Sequence, residues 1–91
     1  MPLMFRIEAS KSVLKDVDKL PPKVRIKVRE VIWKLKINPV PPDEDVKKLK
    51  GLENTYRLRL GRYRILYRVL WKERKVVILY IGERGRAYKK I

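Results

Sequence analysis

The 91-residue sequence has no cysteine, no histidine and no glutamine. Without cysteine there is no disulfide framework, no thiolate zinc site and no thiol nucleophile. Without histidine the usual acid or base at neutral pH is missing. No apolar run approaches the ~18 residues that a membrane span requires. The opening Met1-Pro2-Leu3-Met4-Phe5-Arg6 does not have the pattern of a signal peptide, so a cytoplasmic location is expected. Acidic residues are scarce, and Glu53, Glu73 and Glu83 stand isolated. A metal-dependent nuclease needs carboxylates that converge on an ion, so no metal or other cofactor is expected. Ser10 and Ser12 have no candidate base beside them, which argues against a serine hydrolase. There are four glycines; Gly82-x-x-Gly85 follows a strand pattern but lacks the phosphate-loop motif.

What is abundant is positive charge. The formal net charge is +15, and it is unevenly spread. From Asn54 onward two acidic residues, Glu73 and Glu83, face twelve basic ones. The basic type also changes, from mostly lysine to Arg57, Arg59, Arg62, Arg64, Arg68, Arg74, Arg84 and Arg86. Arginine grips phosphate oxygens with a planar fork that lysine lacks. A field of this sign and make-up points to nucleic acid, an acidic protein, or both. The richness in Lys, Arg and Glu alongside the missing glutamine is compatible with a heat-adapted source.

The stretch from Tyr56 to Arg68 alternates apolar and charged residues on both sides of Gly61. Period-two alternation split by Gly-X predicts two strands joined by a tight type II′ hairpin, with Gly61-Arg62 as the loop. In that register Leu60 lies opposite Tyr63, Arg59 opposite Arg64, Leu58 opposite Ile65 and Arg57 opposite Leu66. One face then carries Tyr56, Leu58, Leu60, Tyr63, Ile65 and Tyr67; the other carries Arg57, Arg59, Arg64 and Arg68. Like charges directly opposite each other cost up to about 1 kcal/mol, so this face is read as an anion site. The competing reading is a solvated basic surface.

Upstream, Leu3, Phe5 and Ile7 alternate with polar or longer neighbours and predict a first strand. Ser10 is placed to cap a helix carrying Val13, Leu14, Val17 and Leu20, which Pro21-Pro22 ends. A second helix follows from Pro22 to about Ile37, with Val24, Val28, Val31, Ile32 and Leu35 on one face and a stop at Asn38-Pro39. The two helices are expected to form a helical hairpin. Asp43-Glu44-Asp45 followed by lysines and Gly51 reads as a short helix with its charges matched to the helix dipole, in preference to metal ligands. Trp71 to Lys75 reads as a turn, and Val76 to Ile81 as a central strand ending at Gly82. The expected architecture is a single α+β domain over 1–91, ordered β-α-α-β-β-β. An antiparallel meander is backed by the helical hairpin, and the place of the first strand is not fixed.

With neither metal nor histidine, RNA cleavage remains open by a route in which the substrate supplies its own nucleophile. The neighbouring 2′-hydroxyl attacks the phosphate in line, and the protein supplies orientation, charge and proton transfer. The strings Lys48-Leu49-Lys50-Gly51, Tyr56-Arg57-Leu58-Arg59-Leu60-Gly61-x-Tyr63-Arg64-Ile65-Leu66-Tyr67 and Gly82-x-Arg84-x-x-x-Tyr88 resemble the RelE toxins of the RelE/ParE superfamily. The resemblance covers nearly the whole chain, and the final Arg-x-x-x-Tyr points to RelE more than to ParE. It implies a toxin of a type II toxin–antitoxin system that acts as a ribosome-dependent endoribonuclease on mRNA in the A site. A RelB-like acidic antitoxin, the ribosome and mRNA are the implied partners.

By the same resemblance, Arg57 and Arg59 match a basic pair on a strand, and Arg64 binds the transition-state phosphate. Arg84 stabilises or protonates the leaving 5′-oxygen. Tyr88 stacks on a base or helps activate the 2′-hydroxyl. Lysine can stand at the position of Arg59 in the family, where a base role is assigned to it. Arginine holds its proton too tightly for that, which leaves the base unassigned. The alternative is a ParE-like protein that inhibits DNA gyrase and cuts nothing.

Overall fold

A computed structural model describes residues 4–83. Strand β1 (Arg6–Ala9) leads into helix α1 (Lys11–Asp18) and helix α2 (Pro22–Ile37), followed by strands β2 (Asp45–Lys48), β3 (Thr55–Leu60), β4 (Tyr63–Leu70) and β5 (Lys75–Glu83). The fold is α+β as expected, with one more strand than the sequence reading supplied. The five strands lie in the order β1-β5-β4-β3-β2. β2 to β5 form an antiparallel meander, and β1 closes the other edge parallel to β5, so the sheet is mixed.

The local signals act where they were read. The Ser10 side chain accepts a hydrogen bond from the Val13 amide at 3.2 Å and caps α1. Pro22 opens α2, and Asn38 caps its end. Gly61 takes φ +61 while Arg62 stays out of the left-handed region, as a type II′ turn requires. The register is the expected one, with Leu60 opposite Tyr63, Arg59 opposite Arg64, Leu58 opposite Ile65 and Arg57 opposite Leu66.

One face of this sheet meets the helices. Leu58, Ile65, Tyr67, Val69, Val76, Ile78 and Ile81 form a core with Val13, Val28, Val31 and Leu35. Tyr56 stacks on Tyr67 at 5.7 Å between ring centroids. The Tyr67 hydroxyl, inside the core, donates to the Pro39 carbonyl oxygen at 2.6 Å, which ties the chain leaving α2 to the middle of the sheet.

Residues 43–50 do not form the expected short helix. Asp45 to Lys48 are a strand, with Val46 opposite Leu58 and packed on the core. Pairing with β3 satisfies backbone groups that a helix would have left open along that edge. A charged, four-residue strand is also a common way to finish a sheet edge. The acids just before it are held from outside. Lys34 of α2 donates to Asp43 at 2.7 Å and to Glu44 at 2.6 Å. These bonds, to Asp43 first, hold the Lys34 ammonium above the usual lysine range, and the same contact holds Asp43 below the usual carboxylate range.

Candidate functional site

Strand alternation sends every second side chain of β3 and β4 away from the helices. That open face receives Arg57 and Arg59 from β3, and Arg64 and Leu66 from β4. From β2 it receives Asp45, opposite Arg59, and Lys47, opposite Arg57. β5 contributes Tyr80, opposite Leu66, and Gly82, opposite Arg64. A bulge sets the last pair of positions. Leu66 pairs with Tyr80 but Tyr67 pairs with Ile78, so one extra residue sits between them on β5. The shift turns Tyr80 to the open face, where it packs with Leu66, Leu49 and Leu79. Gly82 is required beside it, because a Cβ there would lie 2.7 Å from the Tyr80 ring carbon Cζ.

On this apolar floor the arginines are set at different depths. Arg64 is only 5% exposed. Arg57 is half-buried and donates from Nη2 to the Asp45 carboxylate at 3.1 Å. Arg59 is exposed, with its Nε 3.9 Å from the other Asp45 oxygen. The Nε atoms of Arg57 and Arg64 are buried and have no hydrogen-bond partner among the described residues. A buried donor left unpaired costs about 1–3 kcal/mol, so two of them on one sheet face mark a site built for something with acceptor oxygens. A tetrahedral oxyanion fits that need, since guanidinium–phosphate contacts are short and charge-assisted.

The structure therefore brings Arg57, Arg59 and Arg64 together. Arg68 shares their face further along β4: it stands opposite Thr55, diagonal to Arg57 and about 13 Å from Arg64 at strand spacing, and its Nε donates to Thr55 Oγ1 at 3.4 Å. Arg84 and Tyr88 lie outside the described residues. Two members of the face have no clear signal in the sequence. Asp45 sits in a stretch with the charge order of a helix, and Tyr80 in an uninterrupted apolar run. The signal that could have found Asp45 is a lone apolar residue, Val46, between charged neighbours directly after a proline run. Among the described residues no group of acidic side chains is arranged to hold a metal, and no helix is long and apolar enough to cross a membrane.

Comparison with known proteins bears on this geometry. Residues 7–88 match the family described as "ParE toxin of type II toxin-antitoxin system, parDE". The chain is 44% identical over 88 residues to a protein of Methanocaldococcus jannaschii named "Putative toxin RelE1", covering 96% of this chain and 98% of that one. Its fold is similar to a RelE–RelB complex from Pyrococcus horikoshii OT3, with a TM-score of 0.82, 37% identity, and coverage of 92% of this chain and 99% of the other. A RelB–RelE antitoxin–toxin complex from Methanococcus jannaschii is similar at a TM-score of 0.75 and 25% identity, covering 90% and 95%.

Proposed function

The chain belongs to the RelE/ParE superfamily of toxins of type II toxin–antitoxin systems, and from that premise we propose that it is a ribosome-dependent endoribonuclease. In this reading it cuts mRNA in the A site and is silenced by an acidic, RelB-like antitoxin. The observation that carries it is the buried Arg64 guanidinium, its Nε unpaired, beside Arg57 and Arg59.

The chemistry asks little of the protein beyond charge and placement. The substrate 2′-hydroxyl attacks the adjacent phosphorus, the 2′-O–P bond forms and the P–O5′ bond breaks. The products are a 2′,3′-cyclic phosphate and a free 5′-hydroxyl. Negative charge peaks on the pentacoordinate phosphorane, and donors already aimed at that point stabilise it without reorganising. Arg64 and Arg57 meet the non-bridging oxygens, and Arg59 supplies charge at the solvent side. Arg84 is assigned to the leaving 5′-oxygen and Tyr88 to the substrate base or the 2′-hydroxyl, both by the match of Gly82-x-Arg84-x-x-x-Tyr88. No metal or other cofactor takes part. The net charge of +15 supports long-range attraction to the ribosome and to an acidic antitoxin alike. The RelB chains in the similar complexes support a partner of that kind.

A second reading, inhibition of DNA gyrase, is favoured by the ParE description of the matched family. One experiment separates the two. An mRNA toeprinted on programmed ribosomes should gain a ladder of new in-frame ends when the protein is added. Unchanged mRNA together with a block of gyrase supercoiling would establish the second reading instead.

A further inference from the structure

The open face carries one carboxylate among its arginines, and the arginines hold it. β2 pairs with β3 so that Asp45 stands opposite Arg59 and diagonal to Arg57. One Asp45 oxygen accepts from Arg57 Nη2 at 3.1 Å, and the other lies 3.9 Å from Arg59 Nε. We propose that Asp45 is a built-in stand-in for phosphate: it positions Arg57 and Arg59 in the free protein, and an incoming phosphate must displace it. The inference rests on the reading of this face as a phosphate site.

The exposures make the exchange one-sided. The Asp45 side chain is 56% exposed and lies at the sheet edge, free to swing into water, whereas the Arg57 side chain is 12% exposed and fixed. The bookkeeping of charge explains why an acid belongs there. Arg59 and Arg64 are directly opposed, and an empty site would leave their repulsion uncompensated. Yet one carboxylate cannot complete the site, because the Nε donors of Arg57 and Arg64 stay unpaired beside it. A phosphate offers more acceptor oxygens and can reach donors that Asp45 leaves open. The other acid of the open face in the described residues, Glu8, is engaged elsewhere, 3.1 Å from Lys75. Asp45 thus lowers the affinity for any phosphate while keeping the arginines aimed.

The test uses the full chain and inorganic phosphate, followed through the arginine Nε–Hε resonances at fixed ionic strength. Asp45→Asn should bind phosphate about two- to fivefold more tightly, the factor carried by an exposed ion pair that no longer competes. Its affinity for a short single-stranded RNA should depend more steeply on salt, by about one further phosphate contact. Asp45→Glu should behave as the wild type, and Asp45→Ser serves if the asparagine variant does not fold. A folded variant lacking the carboxylate that binds phosphate no more tightly than the wild type overturns the proposal, as does an Arg57 Nε resonance indifferent to phosphate in every form. Since no ribosome is involved, the outcomes separate. A protein that shows the Asp45 effect but leaves mRNA intact loses the nuclease reading alone, and one that cuts mRNA without an Asp45 effect loses this inference alone.

Discussion

Arg64 faces Arg59 directly across the β3–β4 pair, yet the first is 5% exposed and the second stands in solvent. A buried guanidinium with an unpaired Nε opposite a like charge destabilises the fold it sits in. Sites that hold strain of this sort are where function is expected. Arg64→Met keeps the length of the side chain and removes the charge. It should raise unfolding stability by about 1–3 kcal/mol, the cost of an unsatisfied buried polar group. The same change should lower mRNA cleavage by about 10²–10³, the usual effect of losing one transition-state donor. Denaturant unfolding and single-turnover cleavage on the same preparation check both halves. Stability and cleavage falling together would mean that Arg64 is structural.

Tyr67 ties the sheet to the chain beyond α2 through its bond to the Pro39 carbonyl oxygen. Tyr67→Phe leaves that buried oxygen unpaired and should cost about 1–3 kcal/mol. The pH dependence gives a second signature. Burial, with a smaller contribution from Tyr56, holds the Tyr67 phenol above its ordinary value of 10.0. Above pH 10 the unfolded chain therefore loses a proton that the folded chain keeps. The Tyr67 contribution is fully present below pH 10 and declines as the pH climbs further. The stability gap between wild type and Tyr67→Phe should be constant from neutrality to about pH 9 and narrow above pH 10. Chemical denaturation at a series of pH values measures it.

The placement of these two residues is legible in the sequence. Arg64 and Tyr67 follow from alternation about Gly61, because period two fixes faces and a two-residue loop fixes register. The helices were legible from their caps and prolines. β2 was not, since Asp43-Glu44-Asp45 before Lys47-Lys48 is the charge order of a helix, and the one apolar residue, Val46, is too few to reveal a period. Its pairing with β3 is a tertiary contact that overrides local preference. Tyr80 was hidden by the bulge between Ile78 and Tyr80, which reverses the faces in a strand that is apolar throughout. The position of β1 depends on how the two helices carry the chain across the sheet, which no local pattern encodes. The shared face of Arg57, Arg59 and Arg64 was therefore legible in the sequence, while Asp45 beside them and the Leu66–Tyr80 contact beneath were not.

Arg84 separates catalysis from binding. It follows β5 immediately in the sequence, two residues after Gly82, which stands opposite Arg64. Its assigned task is to meet charge as it develops on the leaving 5′-oxygen. An interaction made only in the transition state lowers the chemical rate when removed and leaves ground-state affinity in place. Arg84→Ala should therefore reduce single-turnover mRNA cleavage by about 10²–10³. Ribosome affinity should barely change, because many lysines and arginines share that long-range attraction. The control belongs on α2, away from the arginine face. Exposed Arg29→Ala serves and should alter both quantities only slightly. Both must be measured at one salt concentration, since affinities of this kind fall steeply with salt. Wild-type cleavage by Arg84→Ala, or a loss of cleavage merely in proportion to lost binding, would remove Arg84 from the chemical step and leave the leaving oxygen to be stabilised by another group.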